Sequence, residues 1–201
     1  MPTIEYETDR PRSRRDRLAT LALIGALLFA GAVGWVTRPW ENEPETPFGM
    51  TGAAEGAPRP GELAPDFRLQ RADGSPLRLS ELRGQPVFLN FWATWCTFCL
   101  EEMPDMQRIA EQFDDQLVVL GVNAGDSVAA GDGFANRIGA TYELVYDTEQ
   151  QVVAGYRVRA MPSSYFIDAE GRIVDAHLGF LTRDDMLEKV TALLDQGGAR
   201  P

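Results

Sequence analysis

Histidine and cysteine, the nitrogen and sulfur ligands of structural zinc sites, are nearly missing from this chain of 201 residues. It has a single histidine, His177, and only two cysteines, Cys96 and Cys99. A closed structural zinc site built from Cys and His needs four ligands, so one copy of the chain cannot assemble it. Positive charge is also scarce. The chain carries −11 overall, and the first 40 residues hold six arginines against four carboxylates, which leaves −13 on the remainder. So acidic a surface repels phosphate backbones and excludes nucleic acid as an expected partner. No internal repeat is present, so a single domain is expected.

Long apolar runs are absent too, with one exception near the N-terminus. Residues 18–36 are apolar apart from Thr20. As a helix rising about 1.5 Å per residue, 19 residues come close to the ~30 Å hydrocarbon core of a bilayer. Arg10, Arg12, Arg14, Arg15 and Arg17 precede the span, and Glu41, Glu43 and Glu45 follow it. That asymmetry predicts a cytoplasmic N-terminus, a transmembrane anchor over 18–36 and a translocated remainder. A cleaved signal peptide is the alternative, since Ala30-Gly31-Ala32 fits a small-residue cleavage site. Both readings place the folded part outside the cytoplasm, on a cell membrane or released from it. Residues 37–61, rich in Glu, Pro and Gly, read as a flexible linker, and 62–197 as the folded domain, followed by a short tail at 198–201.

Within the domain, alternating apolar residues around Asp73-Gly74 predict a β-hairpin over 66–80, with Ser80 capping a short helical turn. "VFLNFW" (87–92) and "LVVLGVN" (117–123) read as strands buried on both faces. Between them, Met103, Met106, Ile109, Ala110 and Phe113 recur at helical spacing, which predicts a helix from Thr97 to about Phe113. A helix near 129–138, a strand at 143–147 and a brief helix at 148–155 follow. Strands at 164–168 and 172–179 form a second hairpin, and Thr182 caps a last helix to about Leu194. The class is α/β: a mixed sheet flanked by helices, with a hairpin extension at its N-terminal end.

Both cysteines lie in "WATWCTFC" (92–99), three residues apart. Random placement gives that separation about 1% of the time, so it calls for a reason. A structural staple is weak, because so short a loop constrains little unfolded-chain entropy. A copper site from Cys96, Cys99 and His177 stays open. The redox dithiol fits best: Cys96 falls where a buried strand meets a helix N-terminus, whose free N–H groups and dipole favour a thiolate. Cys96 is therefore the expected nucleophile, and Cys99, one turn on, the resolving thiol.

"NFWATWCTFCLEEMP" (90–104), with "GELAPDFRL" (61–69) before it and "MPSSYFIDAEGRIV" (161–174) after it, resembles the membrane-anchored thioredoxin-like oxidoreductases of the TlpA, ResA and CcmG type. The resemblance spans 61–195 and includes a central insertion. It implies a thioredoxin-like fold and a WCxxCxxExP motif read as Trp95, Cys96, Cys99, Glu102 and Pro104. It further implies a redox-active Cys96–Cys99 disulfide and a cis peptide before Pro162, facing the dithiol, so that Met161 meets a bound client backbone. Trp95, Phe98, Met161 and Pro162 then form the client-binding surface, with no cofactor and no metal.

The same resemblance implies a cell-envelope reductase of disulfide-bearing clients, with apocytochrome c as the leading client. A membrane thiol electron transporter would recharge it, because the 18–36 span has no cysteine to relay electrons. Thioredoxin keeps a buried aspartate where this chain has Asn90. Asparagine cannot exchange a proton, which makes Glu102 the expected acid–base partner of Cys99. Pro104 is expected to aim the first helical turn. Phe98 stands where the family usually has proline, and is expected to meet an apolar partner surface. Two alternatives remain: a thiol peroxidase, although Ala93 occupies the place of its Thr or Ser, and the copper chaperone, whose cysteines are normally spaced one residue wider.

Overall fold

The computed structural model describes residues 49–50 and 57–198. One eight-stranded mixed sheet organises them. Its strands are β1 (Gly49–Met50), β2 (Phe67–Gln70), β3 (Pro76–Arg78), β4 (Val87–Trp92), β5 (Val118–Ala124), β6 (Glu143–Asp147), β7 (Ser163–Ile167) and β8 (Ile173–Leu178). The helices are α1 (Thr97–Gln112), α2 (Val128–Ile138), α3 (Gln151–Gly155) and α4 (Arg183–Gly198). Strand order is β1-β2-β6-β5-β4-β7-β8, with β3 paired to β2. β4, β5 and β6 run parallel, joined by α1 and α2 as crossovers, whereas β7 and β8 return antiparallel.

β4 is central and buried along its whole length, as a run that is apolar at every position but Asn90 predicts. Its alternating side chains supply two cores. Val87, Leu89 and Phe91 join Leu120, Val122, Tyr156 and Tyr165 on one face. Phe88 and Trp92 join Met103, Met106, Ile109, Met186 and Val190 on the other, beneath α1 and α4. Asn90 shares the parity of Phe88 and Trp92, so it points to the α1 side. Burying each Met or Ile of that face contributes roughly 2 kcal/mol of transfer free energy. α1 continues through Pro104.

Three local expectations are corrected. The linker is not structureless throughout: Gly49 and Met50 pair antiparallel with Arg68 and Phe67, and Met50 lies against Gly155. Two residues supply too little pattern for such a strand to be read. Ser80 does not cap its turn, which is a 3-10 helix over Leu79–Leu82. Its N–H and Oγ instead donate to the two oxygens of Asp66, at 2.9 and 3.0 Å, and Glu81 accepts from the Arg78 N–H. A carboxylate receiving two donors holds the serine better than the turn's own amides do. The last helix runs past Leu194 to Gly198, although Thr182 caps it as read, accepting from the Asp185 N–H while Asp185 accepts from Thr182. Among the described residues no helix is long and apolar enough to cross a membrane; residues 18–36 lie outside them.

Candidate active site

The dithiol stands where β4 gives way to α1. Thr94 fixes the intervening loop: its N–H and Oγ1 both donate to Asp126, at 2.8 Å each, and the fully buried Asn123 donates to the same carboxylate. Cys96 is the N-cap of α1 and is joined to Cys99 by a disulfide. Its Sγ accepts the Cys99 N–H at 3.2 Å, one of the helix's free N-terminal donors. That bond and the helix dipole favour negative charge on the same sulfur once the disulfide is reduced. Cys96 keeps 6% of its surface exposed and Cys99 none, so an incoming sulfur meets Cys96 first. Trp95, Thr97 and Phe98 around it are exposed.

Glu102 lies one turn beyond Cys99 and is fully buried. Asn90 Nδ2 donates to its Oε1 at 2.7 Å, and the Leu181 N–H donates to Oε2 at 3.0 Å. Burial pushes the carboxyl up to about 7, against the Leu181 and Asn90 bonds, which favour the charged form. The phenol of Tyr142 is also pushed up, first by burial and then by the charge of Glu102. Asn90 Nδ2 donates as well to Ser164 Oγ at 3.1 Å, while its Oδ1 has no partner among the described residues. Rotating that amide would offer Oδ1 to a protonated Glu102 and to the Ser164 hydroxyl. The pocket can therefore satisfy either charge state of Glu102.

The Met161–Pro162 peptide is cis, as the resemblance implied. Ser163 pairs with Phe91, which sets the start of β7 beside the end of β4, where the loop to Cys96 departs. Met161 packs against the core cluster containing both cysteines. The Pro162 carbonyl accepts the Gly179 N–H at 2.9 Å. His177, opposite Ser164 on β8, instead has its Nε2 3.3 Å from the Phe180 carbonyl oxygen. Among the described residues no three His, Cys, Asp or Glu side chains form a group that could hold a metal ion, so the copper reading lacks a ligand set.

Sequence reasoning missed four contributors here. Asp126 and Leu181 act from loops 32 and 79 residues away from their partners, through contacts that leave no motif. Asn90 was legible only as a missing acid, although it is the hydrogen-bond partner of the acid that is there. Phe180 gave no signal at all.

A reactive disulfide at a helix N-terminus, a buried acid behind it and a cis-proline loop beside it define a thioredoxin-like thiol–disulfide oxidoreductase. The chain belongs to the AhpC/TSA family, whose model matches residues 60–176. It is 37% identical over 134 residues to the thiol-disulfide oxidoreductase ResA of Geobacillus thermodenitrificans, covering 66% of this chain and 77% of that protein. It is 33% identical over 173 residues to the thioredoxin-like protein YneN of Bacillus subtilis, covering 85% and 95%. Among solved structures, the thiol:disulfide interchange protein DsbE of Chlorobium tepidum superposes with a TM-score of 0.64 at 29% identity, covering 68% of this chain and 99% of that one. These similarities support the ResA- and CcmG-type oxidoreductase in preference to the peroxidase.

Proposed function

We propose that the protein is an extracytoplasmic disulfide reductase, held to the membrane by residues 18–36 and acting on client proteins such as apocytochrome c. The observation that carries the exchange chemistry is Glu102, fully buried one turn behind Cys99 and held by Asn90 Nδ2 and the Leu181 N–H, with burial pushing its carboxyl up to about 7, where it can both take and give a proton. The reductive direction and the membrane placement are supported by the resemblance to ResA-type proteins and by the apolar 18–36 span. In the reaction, the Cys96 thiolate attacks one sulfur of a client disulfide, and the other client sulfur leaves as a thiolate that takes a proton from solvent. Cys99 then passes its thiol proton to Glu102 and attacks Cys96 Sγ. The second client sulfur departs, the Cys96–Cys99 disulfide forms, and two electrons have moved to the client. Trp95, Phe98, Met161 and Pro162 are the surface on which the client lies. A separate membrane thiol donor returns the dithiol to its reduced state.

One experiment tests the anchor and the direction together. Cells are acid-quenched, free thiols are alkylated without prior reduction, and the intact mass of the membrane-extracted chain is measured. The expected species is full length and carries two alkyl groups. A chain beginning near Val33 would replace the anchor by a cleaved signal, and an unalkylated, fully oxidised chain would argue against a reductase.

A further inference from the structure

Phe98 and Phe180 are 82 positions apart in the sequence, yet their rings meet at a centroid distance of 6.1 Å. Neither is core: Phe98 is 57% exposed and Phe180 37% exposed. Leu178, two residues before Phe180, is 65% exposed as well. Aromatic rings left in water beside a reactive sulfur bring no folding benefit that burial would not improve, and such patches commonly mark contact sites.

The loop carrying Phe180 is tied to two groups of the exchange site and to His177. The Gly179 N–H donates to the Pro162 carbonyl, the Leu181 N–H donates to the buried Glu102, and the Phe180 carbonyl faces His177 Nε2. Leu181 itself is buried, which pins the loop from below. Gly179 adopts φ 103°, the left-handed region that lets the chain turn there. The backbone on both sides of Phe180 is thus pinned, and a ring carried on a fixed backbone loses less entropy when it binds than one on a free loop. Cys96 sits two residues before Phe98, so a polypeptide delivering a disulfide to it comes close to this pair.

We infer that Phe98 and Phe180 form a client-reading surface that selects disulfides flanked by an aromatic or large aliphatic residue. The inference rests on Cys96 as the exchange nucleophile and names what the site prefers to bring there. A client polypeptide is the occupant for two reasons. The patch begins at Phe98, two residues along α1 from the sulfur at which exchange takes place. A second copy would bring a further −13 of charge against a surface already that acidic.

The test uses the reduced full-length chain in detergent and two matched synthetic peptides presented as disulfide dimers. One carries Phe beside its cysteine and the other Gly at the same place. The initial rate of peptide reduction should favour the Phe peptide by about tenfold, the size expected for partly burying an aromatic residue against aromatic partners. Phe180→Ala and Phe98→Ala should each lower that preference to about twofold, and the double variant should lose no more than either single, since the rings act as one surface. Leu63→Ala, which removes an exposed apolar side chain whose backbone bridges to Arg172 at the opposite end of β8, should keep the full preference. An unselective wild type, or variants that retain the preference, would overturn the inference while leaving the reductase in place. A wild type that reduces neither peptide would remove the reductase reading and this one with it. A concentration-dependent dimer that Phe180→Ala dissociates would assign the patch to a second copy instead.

Discussion

Replacing Cys99 with alanine is expected to turn the protein into a trap: it should accumulate clients as mixed disulfides on Cys96 and turn over none of them. The expectation follows from the asymmetry of exposure and charge at the two sulfurs. Cys96 is the one with accessible surface, and its Sγ already accepts a helix N-terminal N–H. Its thiolate is therefore both stabilised and reachable. Cys99 is fully buried, so it can meet only the sulfur already attached to Cys96. Cys96→Ala should capture nothing and leave exchange at the uncatalysed background. Non-reducing electrophoresis after acid quench, followed by mass analysis of the adducts, reads the outcome. Adducts on Cys99 in the Cys96→Ala variant, with none on Cys96, would reverse the assignment.

Glu102→Gln should produce the second large effect, in two readouts. Without a carboxylate to receive the Cys99 proton, release of client from the mixed disulfide should slow by about a hundredfold, the lower end of what a positioned acid–base group contributes. Formation of the mixed disulfide should change much less. The stability readout follows from the raised pKa. A carboxyl at 4.5 when unfolded and about 7 in the fold binds its proton more tightly in the fold. Its favourable contribution is therefore complete below pH 4.5 and is lost as pH rises to about 7. The loss is on the order of 3 kcal/mol, since each unit is worth about 1.4 kcal/mol. Urea unfolding of the full chain from pH 4 to 8 should show the wild type losing stability relative to Glu102→Gln across that window. The glutamine retains an acceptor for the Leu181 N–H, so the comparison isolates charge. A difference that stays flat with pH, with unchanged release of client, would reduce Glu102 to a structural residue.

Much of this architecture was legible because strongly patterned segments dominate it. The six residues 87–92, apolar but for Asn90, rich in aromatics and too short for a helix, fitted a central strand, and the 3.6-residue recurrence of Met103, Met106 and Ile109 fitted one face of a helix. Their junction fixed where Cys96 had to lie. The Asp73-Gly74 turn forms as read, with Gly74 at φ 85° and Asp73 accepting from the Ser75 N–H. What escaped was carried by backbone groups and by contacts between distant loops. The Leu181 N–H that holds Glu102 is an ordinary amide, and no side chain announces it. Ser80 looked like a cap because serine often is one, but the nearby Asp66 made a better partner for it. Asn90 was read by what it lacks. Its strand parity, visible in the sequence, already pointed it at the helix bearing Glu102, and that signal could have paired the two residues.

The measurement that bears most directly on a reductase is the Cys96–Cys99 reduction potential of the full chain in detergent, equilibrated in a glutathione or dithiothreitol redox buffer. A reductase is expected to show a value near that of thioredoxin, about −270 mV, so that electrons flow from the dithiol to its clients. A value near that of the oxidant DsbA, about −120 mV, would contradict it and make the protein a donor of disulfides.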